Sequence, residues 1–503
     1  MSLRRNILAN YIGQAFAALI GLVMVPVYVR YMGAEAYGLV GFFTMLQAWF
    51  QLLDLGLTPT LSRELSRFQA GVLEGRKAAA MVRTLEWSFG GLGILGALAV
   101  CLAAGWIARD WLKAQHLGQE ELRLSVAFMG AMIGLRWWGG LYRGGLAGLE
   151  RMVTLNLATV TIATLRSVGV VAIFLFWTTS PSGFFAYQLV VAALELVVMG
   201  GLFYRAFPMQ TAGMAPSWQS LGDILGLSGG MAFLAGMWVV VSQTDKLVLS
   251  WVLGLKDYGC FMVTVTLTSA ISMLAAPISQ ALQPRFSILA AQHRDAELTT
   301  LYRTSTQATS AIVFALAGVM SCFAGPLLQA WTGNAEVARE AARPLPLYAL
   351  GYAVVTLLGL AFLVQFAYGK VRWHVIGNCL FGAIWIPGAY LSASYAGAVG
   401  TGWVWLVGNC AFLILWLPYV HFRLIRSLWW RWLICDIGLI VLAEAALLAL
   451  VSRIDVATLG RIGTGAALGL ATACVALAGV LAGAESRPAL FRLSRSLFAA
   501  KPA

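Results

Sequence analysis

Apolar runs of bilayer length fill nearly the whole sequence, and they constrain the fold more than any other feature. A helix that crosses the hydrocarbon core needs roughly 20 mostly apolar residues, and such runs follow one another from Ile7 to Gly483. Only 11% of the 503 residues are charged, whereas soluble chains carry about 25%. The runs are too long for barrel strands and lack their alternation. The sequence therefore predicts a polytopic, all-α membrane protein.

The runs divide into about fourteen predicted membrane-spanning helices. Turns with helix-ending residues separate them, such as Ser180-Pro181-Ser182-Gly183 and Gly397. The first run lacks a small-residue cleavage site, which favours a retained helix over a removed signal peptide. The predicted spans are residues 7–29, 38–60, 81–106, 123–147, 153–177, 183–204, 223–250, 257–280, 303–329, 344–367, 372–394, 398–421, 432–452 and 461–483.

Basic residues are unevenly distributed between the two sides of the predicted membrane. If the N-terminus is cytoplasmic, the inner loops carry more than twice as many Lys and Arg residues as the outer loops. Because cytoplasmic loops carry an excess of basic residues, we predict that both termini are cytoplasmic. Topology and anionic lipid headgroups also explain the net charge of +13, so we predict no nucleic-acid partner.

A short turn motif occurs twice, 221 positions apart, as GAEAYG at residues 33–38 and GLKDYG at residues 254–259. Six predicted spans separate the copies, so the two halves run in the same direction, as in transporters built from parallel repeats. Two six-helix lobes that face one another would enclose a cavity open to one side at a time. The predicted divisions are an N-lobe at 1–204, a cytoplasmic linker at 205–222, a C-lobe at 223–421, and two further helices with a cytoplasmic tail at 422–503.

Ionisable residues near the middle of spans are candidates for function, because translocon scales put their cost at about 2.5–3.5 kcal/mol each. Arg136 and Arg166 lie deep in the fourth and fifth spans. We interpret them as lining a polar cavity that holds an anionic group such as phosphate. The alternative is structural pairing, for instance of Arg166 with Glu195, which would neutralise both.

Four other ionisable residues of the predicted spans are also candidates for a role in transport. Lys246 is assigned to the cationic cavity, and Asp54, Glu195 and Asp245 are candidates for coupling transport to protons or sodium ions. Glu444 lies outside the repeat, so we assign it no role.

The fourth span combines basic and aromatic residues. Arg136 precedes Trp137 and Trp138, and Arg143, seven residues further on, shares its helical face. The two tryptophans are candidates for stacking on sugar rings, although most tryptophans of this chain are more simply explained as interface anchors. Glycine pairs in the same span favour close helix packing over phosphate binding.

Motifs for catalysis or metal binding are missing from the sequence. The seven cysteines show no paired spacing, and neither a Walker loop, a zinc motif nor a nucleophile elbow is present. We predict that the chain is not an enzyme and needs neither metal nor cofactor, with coupling to H⁺ or Na⁺ left open.

Several short motifs carry a resemblance to one transporter family. They are Asn10-Tyr11, residues 21–26, residues 31–38, residues 53–64, Gln243-Thr244-Asp245-Lys246, Tyr258-Gly259 and residues 276–285. Through them, about the first 420 residues resemble the polysaccharide repeat-unit flippases, the Wzx-type branch of the MOP exporter superfamily. The resemblance implies a MOP/MATE-like fold of fourteen helices, with two six-helix lobes around a V-shaped cationic cavity.

The resemblance also implies a substrate and a location. Members of that family move undecaprenyl-pyrophosphate-linked oligosaccharides, such as O-antigen repeat units, from the inner to the outer leaflet of the bacterial cytoplasmic membrane. Arg136 and Arg166 would then hold the headgroup, with Arg30 and Arg143 nearer the openings. The expected partners are membrane lipids around the protein and, as candidates, polysaccharide polymerase or glycosyltransferases.

Two rival functions remain open, and the sequence argues against a third. A lipid II flippase would need nearly the same chemistry. A MATE-type multidrug antiporter would favour carboxylates around cationic drugs, and the two deep arginines argue against it. A membrane-embedded glycosyltransferase or polymerase would need a large polar outer loop, whereas the longest candidate, residues 107–122, is short.

Overall fold

A computed structural model describes the backbone of residues 3–208, 218–425 and 428–487, and the side chains of these residues except 3–12, 14, 18, 218–232 and 457. Part of the predicted linker, residues 209–217, and the end of the predicted tail, residues 488–503, lie outside the described residues.

Within these ranges the chain is almost entirely helical and contains no strand, which confirms the all-α prediction. The helices are α1 (Leu3–Phe50), α2 (Leu57–Gln69), α3 (Gly75–Trp106), α4 (Gln119–Gly148), α5 (Met152–Phe176), α6 (Pro181–Ala206), α7 (Trp218–Val252), α8 (Leu255–Ala291), α9 (Asp295–Cys322), α10 (Ala324–Thr332), α11 (Ala335–Ala342), α12 (Leu345–Ala367), α13 (Val371–Ala411), α14 (Leu417–Leu424), α15 (Trp429–Arg431), α16 (Leu439–Val451) and α17 (Gly460–Ala482).

Eleven helical segments of the described chain are long and apolar enough to cross a membrane. Two of these segments are broken by a glycine with positive φ, at Gly33 (φ 84°) in α1 and at Gly397 (φ 54°) in α13. Side chains other than glycine rarely adopt such a conformation. Both breaks lie in turns predicted from the sequence, so each broken helix supplies two predicted spans. The total of about fourteen spans stays a prediction.

Two predicted spans end earlier than expected. The second span, predicted to reach residue 60, ends in a 3₁₀ turn at Gln51–Asp54, and Leu55 and Gly56 then adopt left-handed conformations (φ 45° and 75°) before α2 begins. The predicted span 303–329 is divided between α9 and α10, on either side of Phe323. Hydropathy does not report such backbone changes, because it is averaged over many residues and does not depend on φ.

The described chain forms two compact units, Met1–Gly259 and Cys260–Ala503, while the predicted lobe boundaries stay predictions. In the first unit α4 packs against α1, α2, α3, α5 and α6, and α7 packs against α1, α2 and α3. Glycines let α4 approach its neighbours, since a Cβ at Gly144 or Gly145 would lie 2.5 Å from Thr58 or Phe203 respectively. This agrees with the packing role expected for the glycine pairs of α4.

In the second unit α9 packs against α12, α16 and α17. Arg303 of α9 donates two hydrogen bonds of 2.8 Å to the carboxylate of Asp436 and one of 2.8 Å to Glu485. Asp436 is fully buried and also accepts a hydrogen bond from Gln307. This network holds the last helices of the chain against α9. Separating them would leave a buried charge without its partner, which is strongly unfavourable.

Candidate functional site

A cavity of about 450 Å³ lies within the first unit. Its wall is formed by the C-terminal part of α1, the 3₁₀ turn, and parts of α2, α3, α4 and α7. The side chains that line it combine charged, amide and apolar groups. They are Gln47, Phe50, Gln51, Leu52, Asp54, Leu55, Gly56, Thr58, Pro59, Phe89, Ile133, Arg136, Trp137, Gly140, Arg143, Ala235, Gly236 and Val239.

Arg136 is the buried cation of this cavity, with 7% of its surface exposed. Its two terminal nitrogens donate to the amide oxygens of Gln47 and Gln188, each at 3.3 Å, and its guanidinium lies 5.0 Å from the ring centre of Phe43. Its Nε has no hydrogen-bond partner among the described residues, and none of them places a carboxylate within ion-pairing distance. The positive charge is therefore held in place by neutral groups and is not cancelled.

Glu195 of α6 bridges two of the predicted site arginines. Arg143 donates to its Oε1 at 2.8 Å and Arg166 to its Oε2 at 3.4 Å. Arg143 also donates to the backbone carbonyl of Arg136 at 3.1 Å. Arg143 lines the cavity, whereas Arg166 and Glu195 are not among its lining residues. The pairing of Arg166 with Glu195, raised as the structural alternative, is present, and one carboxylate is shared by two arginines.

Asp54 lines the same cavity and also has a local structural role. Its carboxylate accepts hydrogen bonds from the backbone N–H of Thr58 at 3.2 Å and from the Thr58 hydroxyl at 2.5 Å. Side-chain acceptors of this kind satisfy the free N–H groups at a helix start. Asp54 therefore stabilises the reversal between α1 and α2 while exposing part of its surface.

The two candidate tryptophans line different cavities. Trp137 lines the cavity and stacks on Phe89, with ring centres 4.3 Å apart and an interplanar angle of 19°. Trp138 lines a separate cavity between α3 and α4. Only Trp137 is therefore placed to contact a molecule in the cavity of Arg136.

Arg30, Asp245 and Lys246 are not among the residues that line the cavity. Arg30 is exposed near the break at Gly33. Lys246 is buried, donates to the Asp245 carboxylate at 3.0 Å, and donates to the Ser242 carbonyl at 2.6 Å. The sequence assigned Lys246 to the cationic cavity and Asp245 to ion coupling, and in the structure the two form a buried pair with each other.

Sequence reasoning missed the amides that hold Arg136. Gln188 is 3% exposed, and its amide nitrogen donates to the carbonyl of Arg166 at 3.3 Å while its oxygen accepts from Arg136. Gln47 approaches from α1. Both glutamines lie within predicted apolar spans, so a search for uncharged polar residues in those spans would have found them.

The two copies of the turn motif, residues 33–38 and 254–259, lie against each other. We call them the turn pair. A Cβ on Gly38 would lie 2.5 Å from the carbonyl oxygen of Leu255, and a Cβ on Gly259 would overlap the carbonyl oxygen of Ala34. Ala34 and Leu255 occupy equivalent motif positions, as do Gly38 and Gly259. The contact is therefore reciprocal and requires glycine on both sides.

The loop after α3 joins the turn pair. The backbone N–H of Leu255 donates to the carbonyl of Lys113 at 2.9 Å, and Glu35 accepts from the N–H groups of Gln115 and His116 at 2.5 and 3.1 Å. Hydrogen bonds from the backbone and from Glu35 thus hold this end of the first unit together. The cavity lies near the C-terminal end of α1.

The charges around the cavity favour an anionic ligand. Arg136, Arg143 and Asp54 line it, and the Arg166–Glu195 pair lies behind Arg143. Three arginines and two carboxylates leave one positive charge in excess. Arginine offers paired donors that match the geometry of phosphate or carboxylate oxygens. Because a ligand that brings its own negative charge would restore neutrality in a low-dielectric site, the arrangement suits phosphate better than a cation.

Comparisons with known proteins agree with this transporter-like arrangement. The sequence profile of a family described as "Polysaccharide biosynthesis protein" matches residues 3–290. A putative O-antigen transporter of Shigella flexneri is 20% identical over 287 residues, which cover 57% of this chain and 67% of that protein.

Solved structures resemble the fold at low sequence identity. The lipid II flippase MurJ, in an inward closed conformation, has a TM-score of 0.70 and 12% identity, covering 94% of this chain and 98% of that one. An inward-facing multidrug resistance MATE family transporter of the MOP superfamily has a TM-score of 0.68 and 15% identity, covering 81% and 94%. These likenesses show that the chain has a MOP-type fold, as predicted.

Proposed function

Because this chain belongs to the polysaccharide biosynthesis protein family, we propose that it is a flippase for lipid-linked oligosaccharide. Its substrate would be an undecaprenyl-pyrophosphate-linked repeat unit of O-antigen or a related surface polysaccharide. Transport would proceed from the inner to the outer leaflet by alternating access. The relatives that the comparisons name are transporters and flippases, which supports transport over catalysis.

The observation that carries the proposal is the unneutralised guanidinium of Arg136 in a membrane-embedded cavity. A pyrophosphate head attached to sugars cannot cross hydrocarbon unaided, since each unpaired polar group costs several kcal/mol. In our proposal Arg136 and Arg143 hold the head in the cavity, Trp137 contacts the sugar, and the isoprenoid chain remains in the bilayer. The name of the Shigella flexneri relative supports this class of substrate.

We further propose a bacterial cytoplasmic-membrane location with both termini cytoplasmic, based on the distribution of basic residues. The turn pair then closes the outer side, and the cavity opens toward the cytoplasm to accept substrate. Asp54, Glu195 and Asp245 are the carboxylates through which protons or sodium ions could be coupled to transport. Polysaccharide polymerase and glycosyltransferases are the proposed protein partners.

Replacing Arg136 with glutamine tests the proposed substrate site. We expect surface polysaccharide to fall about tenfold or more, because charge-assisted hydrogen bonds contribute about 1.5–3 kcal/mol. The measurement is quantitative detection of surface glycan in a deletion strain complemented with each variant, normalised to the amount of protein in the membrane. Arg123→Gln is the control, since Arg123 lies on the same helix, is exposed and pairs with Glu120.

Normal glycan display by the Arg136→Gln variant would remove this residue from the site. If deletion of the whole gene left surface glycan intact but blocked peptidoglycan synthesis, the lipid II alternative would replace the proposal. Export of cationic dyes that depends on this chain would instead support the multidrug alternative.

A further inference from the structure

A second cavity, of about 300 Å³, lies between α3 and α4 in the first unit. It is distinct from the cavity of Arg136, and none of the residues that line either cavity is shared. Its lining residues are Arg83, Glu86, Trp87, Gly90, Gly91, Ile94, Trp138 and Tyr142. The lining thus combines an Arg83–Glu86 ion pair with aromatic, glycine and aliphatic residues, which is an amphipathic arrangement.

Arg83 is only partly engaged by its neighbours. One terminal nitrogen donates to Glu86 at 3.3 Å, and the guanidinium lies 5.8 Å from the ring centre of Trp87. The buried Nε has no hydrogen-bond partner within the described part of the chain. Arg83 therefore retains donors for an additional acceptor, and the face of Trp87 favours keeping the cation in this position.

The carboxylate of Glu86 has donors other than Arg83, which itself donates only to Oε2. It accepts from the hydroxyls of Tyr142, at 3.0 Å, and Tyr204, and it is 6% exposed. Two phenols thus cover one oxygen of the carboxylate inside the protein. Arg83 can therefore offer its second terminal nitrogen to a ligand while the first keeps its bond to Oε2 of Glu86.

An apolar stripe continues from the cavity along α3. Exposed hydrophobic side chains follow at helical spacing, and no atom lies within 4 Å of the position of a Cβ on Gly91. The stripe consists of Trp87, Ile94, Leu95, Leu98 and Leu102. Because these positions lie three, four or seven residues apart, except for the adjacent Ile94 and Leu95, they form one surface about as long as an acyl chain packed along a helix.

We propose that this cavity binds a phospholipid with an anionic headgroup in the inner leaflet. Arg83 would bind the phosphate, Trp87 would pack beside the glycerol region, and an acyl chain would lie over Gly91 and Ile94. Under the predicted topology, α3 begins at the cytoplasmic side, where Arg76 and Lys77 add positive charge. Basic cavities between helices on that side suit anionic lipid headgroups. The proposal does not depend on the identity of the transported substrate.

The test measures lipid binding by the purified full-length chain. Native mass spectrometry after titration with phosphatidylglycerol, phosphatidylcholine or inorganic phosphate gives the affinity for each. We expect phosphatidylglycerol to bind more tightly than phosphatidylcholine, and Arg83→Gln to weaken it about tenfold. Arg109→Gln is the control, because it removes one exposed positive charge beyond the other end of α3.

A second variant tests the acyl-chain path without changing charge. Gly91→Leu fills open space on the surface of α3, so the fold is expected to tolerate it, while binding of phosphatidylglycerol should again weaken. Equal binding of phosphatidylglycerol by wild type and Arg83→Gln would overturn the proposal. So would binding of inorganic phosphate as tight as that of the lipid, or equal weakening by Arg109→Gln.

Discussion

Replacing Gly259 with alanine is expected to prevent closure of the turn pair and to abolish transport. The added methyl group would overlap the carbonyl oxygen of Ala34 and would also lie 3.0 Å from the backbone nitrogen of Gly38. Backbone atoms cannot rotate away as a flexible side chain can, so the two turns must separate. Alternating access needs a side that seals, and a turn pair held apart would remove that seal.

The measurement combines transport with local accessibility. Cys260 follows Gly259 directly and is 3% exposed. In Gly259→Ala, a membrane-impermeant thiol reagent should modify Cys260 faster than in wild type, and surface glycan should be lost while the protein remains in the membrane. A Cys260→Ser background identifies labelling at the six other cysteines.

Two further variants set the scale of the turn-pair experiment. Gly38→Ala should have a similar but smaller effect, because its Cβ would lie 2.5 Å from the oxygen of Leu255. Gly105→Ala is the control, since no atom lies within 4 Å of its Cβ position. Unchanged Cys260 labelling with normal glycan display in Gly259→Ala would show that the contact is not a closing element.

Replacing Asp436 with alanine is expected to destabilise the second unit by about 3–5 kcal/mol, because it leaves a buried arginine without its main counter-charge. Arg303 would lose two hydrogen bonds of 2.8 Å, and Gln307 would lose an acceptor. Loss of several kcal/mol is a large part of the stability of a folded unit. We therefore expect a lower thermal unfolding temperature and much less protein in the membrane.

A surface pair at the start of α9 provides the matched control. Arg294 and Glu297 are 2.6 Å apart but exposed, so Glu297→Ala should change stability by no more than about 1 kcal/mol. The double variant Arg303→Leu/Asp436→Leu should recover part of the loss, since it removes both buried charges together. If Asp436→Ala unfolded at the wild-type temperature, the network would have no stabilising role.

The elements that the sequence predicted well depend on local chemistry. Long apolar runs identify helices because backbone groups without hydrogen bonds are too unfavourable in lipid. Gly33 and Gly397 mark helix breaks because few other residues adopt their φ values. The repeated motif was also visible in the sequence, although the contact between its two copies was found only in the structure. These features are local in the sequence, so they can be identified from a single chain.

The positions of residues around the cavity were harder to predict from the sequence. Asp54, placed inside a continuous span by hydropathy, lies at a chain reversal. Neighbours in sequence also separate in space, since Trp137 and Trp138 line different cavities. Successive residues on a helix point about 100° apart, and only the packing of neighbouring helices decides which direction is occupied by protein, ligand or lipid.

The sequence by itself determined that this protein is helical, spans a membrane and contains a repeated motif, and it singled out Arg136 and Arg166 as cations within apolar spans. Only the tertiary structure decided that Arg166 shares Glu195 with Arg143, while Arg136 is held by the amides of two glutamines. The reason is physical. The presence of a charge in an apolar span can be read from one helix, but its neutralisation depends on side chains that other helices bring within about 4 Å.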